Sequence, residues 1–219
     1  MLPAVLAGWV DAVGLARLGG VFVSFMSGDT TNIGVDLGHL DGDHAAVAGL
    51  VVALFVVGVV VGELAAPAGG RRGRGLVLLL VTLLLGTAAA IAAQGSGPAV
   101  AHGAARLGAA RLAMAGPMTV AAPMVLAMGA QNAAIRSRGG VEFGQTYVTG
   151  TLVHLGVALA DGLRGQGFGK AGAYFSYWLG LVGGAVLGTV TLGYLPAASL
   201  IAPAILAVML AAREFTRRD

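Results

Sequence analysis

With 219 residues, 57% of them apolar and 11% charged, and a mean hydropathy of +0.87, the chain carries too little polar surface to coat a soluble globule of its size. It belongs in a lipid bilayer. The lack of cysteine rules out disulfides, thiolate metal sites and cysteine nucleophiles, and the net charge of +3, carried by arginines at segment ends, suits anionic lipid headgroups better than nucleic acid.

A spanning helix needs about 20 mostly apolar residues to cross roughly 30 Å of hydrocarbon. The first candidate, residues 2 to 18, is the shortest; it lacks a basic leader and carries Asp11 where a signal sequence would be apolar, so a retained helix is expected. A polar stretch follows, Ser24-Phe-Met-Ser-Gly-Asp-Thr-Thr-Asn-Ile-Gly34, and then the turn-like Asp41-Gly-Asp-His44. Residues 45 to 66 span, with Glu63 near their end, and lead into a basic loop holding Arg71, Arg72 and Arg74. Residues 75 to 94 are the most hydrophobic span, and the segment with His102, Arg106 and Arg111 is expected at an interface. Residues 114 to 135 span next, with Pro117 and Pro123 as kink sites. The second polar stretch is Thr146-Tyr-Val-Thr-Gly-Thr-Leu-Val-His-Leu-Gly156, after which residues 171 to 192 and 197 to 213 complete the set.

The two polar stretches belong to an internal repeat. Gly8 and Asp11 match Gly129 and Asn132, while Gly28, Gly34, Phe55, Gly58 and Gly62 match Gly150, Gly156, Tyr177, Gly180 and Gly184, all at one offset to within a residue. If each polar stretch enters the membrane without crossing it, each half holds three spans, and an odd number inverts the second half. An internal N-terminus then places the basic residues at 71, 72, 74, 136, 138, 164, 170, 213, 217 and 218 in the cytoplasm and leaves Arg17, Arg106 and Arg111 outside, a good positive-inside balance. Eight full crossings would put Arg164, Lys170 and the basic C-terminus outside. The expected fold is therefore an all-α integral membrane protein of about six transmembrane helices, arranged as two inverted three-helix repeats, each with a broken or re-entrant polar segment. Residues 1–98 form the first repeat, 99–113 an interfacial connector and 114–219 the second repeat.

An ionisable side chain in mid-span costs about 2.5 to 3.5 kcal/mol on insertion scales and is a functional candidate for that reason. Asp11 is such a residue, although bonding to a backbone opened by the polar stretch is the structural alternative. Its repeat partner Asn132 stands beside Gln131. Ser27, Asp29, Thr30 and Asn32 have the composition of helix caps and Asx turns, yet a broken helix at membrane depth persists only where protein or a water-filled cavity satisfies it, and its termini are ready ion or substrate sites. Thr149, Thr151 and His154 take the corresponding places in the second stretch; a lone histidine there is a proton shuttle or a hydrogen-bonded structural group. Gln145 and Tyr147 are further path-lining candidates, and Trp9 and Trp178 read first as interfacial anchors.

Enzyme signatures are absent: there is no metalloprotease helix motif, nucleophile elbow or phosphate loop, and His39, His44, His102 and His154 show no metal-binding spacing. No cofactor is implied.

The motifs Gly8-Trp-Val-Asp-Ala12, Phe22-Val-Ser-Phe-Met-Ser-Gly-Asp29, Gly129-Ala-Gln-Asn-Ala133 and Thr146-Tyr-Val-Thr-Gly-Thr151 resemble the signatures of the YoaK-type family of bacterial multi-pass membrane proteins, a domain family of unknown function. The resemblance covers nearly the whole chain and implies six spans in a bacterial plasma membrane. Ser27 stands where the family has threonine and Asp29 where it has asparagine, which adds a charge to the motif.

Together these features predict a small transporter or channel for a neutral or cationic solute, possible proton coupling included, with its site where the polar segments meet. The rival is a non-transporting membrane scaffold or regulatory subunit. Lipid and a small-molecule or ion substrate are the expected partners; nucleic acid is not, and self-association is open.

Overall fold

The computed structural model describes residues 1–66, 70–94, 107–136, 148–196 and 198–216, and every regular element in them is helical. The order is α1 (Leu2–Arg17), α2 (Met26–Gly38), α3 (Gly42–Ala65), α4 (Gly70–Gln94), α5 (Leu107–Arg136), α6 (Val148–Asp161), α7 (Gly169–Tyr194) and α8 (Ala198–Thr216), with a π-helical turn, Gly162–Gln166, between α6 and α7. In lipid a backbone must satisfy its own polar groups, which is why these apolar segments are helices. Helix α5 starts at Leu107, inside the expected connector, and carries Pro117 and Pro123 within its length.

Among the described residues, four helices are long and apolar enough to cross a membrane: Gly42–Ala65, Arg72–Gln94, Gly169–Tyr194 and Ala198–Thr216. The 16 residues of α1 extend about 24 Å, and the 13 of α2 and 14 of α6 about 20 Å, less than a full crossing. Outward faces are apolar, with Val56, Val57 and Val60 exposed on α3 and Val182, Val186 and Val190 on α7. Such faces suit lipid.

Where hydrocarbon supplies no hydrophobic drive, helices associate through close backbone approach over small residues. Gly180, Gly184 and Gly188 of α7 meet Met1, Val5 and Trp9 of α1 in that order, so these two helices run the same way. Gly8 returns the contact, facing the Leu181 carbonyl so closely that a Cβ has no room. The same pattern joins α3 to α5: Gly58 lies under the Leu126 carbonyl and Gly129 under that of Phe55. Each half of the chain therefore packs its first helix on the other half.

The remaining pairs oppose one another. Arg74, near the start of α4, donates to Glu214, near the end of α8, at 3.0 Å, and the Phe215 ring covers Gly75. Gln131, near the end of α5, donates to the Pro3 carbonyl at the start of α1 at 3.2 Å. One end of the bundle thus collects the starts of α1, α4 and α7 and the ends of α3, α5 and α8. Helix α2 rests on α3 and α6 on α7. Leu6, Val10, Leu85, Met124 and Met128 fill the centre between these pairs.

Candidate functional site

After α1 the chain reverses through Gly19 and Gly20, whose φ values of +64° and +114° are open to glycine and strained for other residues. It then runs back alongside α1. The backbone N–H groups of Val23 and Ser24 donate to Asp11 Oδ1 at 2.9 and 3.0 Å, and the Val23 side chain fills the space over Gly14. Asp11 lies about 9 Å below the last residue of α1 at helical rise, so the connection dips into the bundle before α2 begins.

Helix α2 continues the same arrangement. Asp29, in its first turn, accepts the Phe22 N–H on Oδ1 at 3.0 Å, and Asn32 Nδ2 reaches the Gly20 carbonyl at 3.4 Å. The rings of Phe22 and Phe25 meet edge to face at 5.3 Å above Gly28, where a Cβ would collide with both. Three side chains of the predicted site thus hold one stretch of backbone, residues 20 to 24.

Asp29 is 0% exposed, and its Oδ2 is buried without a hydrogen bond. Asp11 stands close by, since the two carboxylates take the N–H groups of consecutive residues, and Ser24 beside them is buried as well. Arg17, at the end of the same helix, pairs with neither acid and leaves its own Nε buried and unbonded. An unbonded carboxylate oxygen in a dry place is costly unless something positive meets it.

The other predicted residues are less concentrated. Ser27 and Thr30 are exposed on α2, and the Thr30 hydroxyl donates back to the Met26 carbonyl at 2.8 Å. Asn132 likewise bonds within its helix, to the Met128 carbonyl at 2.8 Å, while Gln131 is buried and fastens α5 to α1. In α6, Thr151 is buried and Thr149 exposed. His154 is exposed too, its ring stacked on Tyr174 at 5.4 Å. Gln145 and Tyr147 lie outside the described residues. Among the described residues α2 and α6 share no packed interface.

Two roles came out differently from the sequence reading. Trp9 lies against Gly188, and its indole N–H donates to the Ser199 carbonyl at 3.0 Å, so it clasps α7 and α8 where an interfacial anchor was expected. Ser24, read only as the edge of the polar stretch, is one of its most buried members. Among the described residues no group of three or more His, Asp or Glu could hold a metal. At the surface, Asp41 caps α3; the His44 backbone N–H, and then its ring, hold the Asp41 carboxyl below the usual carboxylate range.

The chain has known relatives. Residues 1–212 match the protein family of unknown function DUF1275. The chain belongs to this family. It is the YoaK-type family of the sequence signatures, and its members are bacterial multi-pass membrane proteins. One relative is the UPF0700 transmembrane protein RA0705 of Rhizobium meliloti (strain 1021), 33% identical over 216 residues, which cover 96% of this chain and 82% of that one. No solved structure matches.

Proposed function

We propose that this DUF1275 protein is a small transporter or channel for a neutral or cationic solute, and that Asp29, with Asp11 beside it, carries the coupling proton or cation. The observation behind this reading is the buried, unbonded Oδ2 of Asp29. A proton or a cation satisfies that oxygen, and either is a species whose uptake and release can be coupled to a solute. Asp11, Asn32 and Ser27 and Thr30 on α2 form one half of the path in this scheme, with Gln131, Asn132, Thr149, Thr151 and His154 in the second half.

Six spans in two inverted repeats, residues 1–98 and 114–219, with 99–113 between them, fit the helix directions. Helix α2 lies between the end of α1 and the start of α3, at one end of the bundle, and α6 between the end of α5 and the start of α7, at the other. Both are too short to cross, which fits entry from opposite sides. The arginine distribution favours cytoplasmic termini.

The test is uptake into proteoliposomes of a panel of small neutral and cationic solutes, driven by a pH gradient or an inside-negative potential. Flux of at least one solute is expected, reduced tenfold or more by Asp29→Asn and unchanged by Thr87→Ala, an exposed position on α4 outside the path. Flux equal to that of empty liposomes across the panel, or full activity of the Asp29 variant, overturns the reading. The scaffold alternative draws on a different observation, that Asp11, Asp29 and Asn32 all bond to backbone. For the two aspartates that role needs an acceptor oxygen and not the charge, so on the scaffold reading Asp29→Asn leaves the helix packing intact.

A further inference from the structure

The unbonded Oδ2 of Asp29 can be satisfied by a proton or by a cation, and the oxygens around it discriminate between the two. A hard metal ion needs a shell of roughly six oxygen ligands. At the start of α2 the oxygens are already engaged. The Phe25 carbonyl accepts the Gly28 and Asp29 N–H groups at 3.0 and 3.4 Å, the Met26 carbonyl accepts the Thr30 hydroxyl at 2.8 Å, and the Ser27 carbonyl accepts the Thr31 hydroxyl at 3.0 Å. The Gly20 carbonyl takes the Asn32 amide, and both carboxylates give their Oδ1 to backbone N–H groups. Thr30 and Thr31 are themselves exposed, away from the buried oxygen. A proton needs neither a shell nor a cavity, and Asp29 is 0% exposed. It turns Oδ2 from an acceptor without a donor into a hydroxyl donor and removes the charge.

The neighbouring charges favour the same species. Asp11 and Asp29 hold consecutive residues of one loop, and two bare carboxylates in so dry a place repel each other. Arg17, at the end of α1, pairs with neither. Helix α3, on which α2 rests, has no ionisable residue between His44 and Glu63, and on α2 itself Asp36 and His39 lie toward the far end. One of the two acids is then best neutral. Asp11 is half-buried and accepts two N–H groups on one oxygen, which suits an anion; Asp29 is fully buried and accepts one.

We propose that Asp29 is a proton-binding site: its Oδ2 carries a proton at neutral pH, Asp11 stays ionised beside it, and metal ions do not enter. As the identity of a coupling ion this rests on the function proposed above; as a protonation state it stands on the geometry alone. Asparagine reproduces the protonated acid group for group, with an acceptor for the Phe22 N–H and a donor in place of the Oδ2 hydroxyl, so Asp29→Asn is expected to fold.

Infrared spectra of the protein in lipid nanodiscs test the proposal. At neutral pH the unsubstituted protein should show a carboxylic-acid carbonyl band that shifts with isotope-labelled aspartate and is missing in Asp29→Asn. Raising the pH removes the band, and Asp11→Asn moves that loss to lower pH because a nearby negative charge is gone. Sodium, potassium or magnesium chloride, exchanged for choline chloride at constant ionic strength, leaves the band unchanged. Stability gives a second readout. An unfolded aspartate ionises near about 3.9, so the native chain holds one proton more, and its melting temperature should fall relative to that of Asp29→Asn as pH rises from about 5 to 7. A band absent at neutral pH overturns the proposal, as does one that survives Asp29→Asn and vanishes in Asp11→Asn, or one that a metal salt removes. If Asp29→Asn does not fold, the isotope shift, the Asp11→Asn series and the salt series still decide. No solute is involved, so the proton can be present while every flux equals that of empty liposomes. Conversely, flux driven by a metal-ion gradient through a chain lacking the band overturns this inference alone.

Discussion

Asp11 and Asp29 together take the backbone N–H groups of three consecutive residues, Phe22, Val23 and Ser24, and so clamp one stretch of chain between a half-buried and a fully buried carboxylate. The clamp explains why a charged residue is tolerated in a short apolar helix: Asp11 satisfies a backbone that no water reaches. It also divides the labour. Asp11 is committed through Oδ1 to two donors, whereas Asp29 spends one oxygen on Phe22 and keeps the other unbonded.

Asp11→Ala is expected to lower stability by about 2 to 4 kcal/mol, because it orphans two buried N–H groups that now donate to its Oδ1. Asp11→Asn keeps an acceptor oxygen and should cost about 1 kcal/mol. Thermal unfolding in detergent, followed by circular dichroism, separates the two; equal losses would contradict the clamp.

Arg74 and Glu214 make the second polar fastening, 15% and 6% exposed at their side chains. Removing either partner alone leaves a buried charge, and Arg74→Ala should destabilise by about 3 kcal/mol. Replacing both at once, Arg74→Met with Glu214→Leu, should cost less than the sum of the single changes. A double-mutant cycle measured by denaturant unfolding in mixed micelles checks this.

Gly129→Ala drives a methyl group into the Phe55 carbonyl and is expected to cost about 1 to 3 kcal/mol as overpacking. Gly86→Ala meets nothing within 4 Å and should be neutral or slightly stabilising. If the two variants melt together, the close crossing of α3 and α5 is not a principal contact.

At the surface, pH acts through Asp41. Its folded-state carboxyl titrates below the ordinary 3.8, so the cap's contribution is complete above that value and fades as pH falls through the lowered one. Asp41→Ala should speed amide hydrogen exchange in the first turn of α3 at neutral pH. The difference from the unsubstituted chain should shrink as pH falls below 3.8 and through the lowered titration of Asp41.

Much of this was legible in the sequence because glycine and carboxylate are conspicuous in apolar chain. Gly8 and Gly129, Gly58 and Gly180 stood out as repeat partners and proved to lie at the crossings, and Asp11 and Asp29 marked the polar turn. Which helix each crossing joins was not legible, since a repeat offset says which residues correspond and not which ones touch. His154 shows the limit: it aligns with Asn32, yet Asn32 turns back to the Gly20 carbonyl while His154 lies exposed on Tyr174.

The exchange of first helices between halves also bears on how the protein is made. Helix α1 leaves the ribosome well before its docking surface, the glycine face of α7. During synthesis α1 must wait in the bilayer with Gly8 uncovered, and α3 must wait for α5 in the same way. Neither half completes a native interface of this kind from its own sequence, so a gene cut between α4 and α5 should yield two fragments that are each degraded when expressed alone and protected when expressed together.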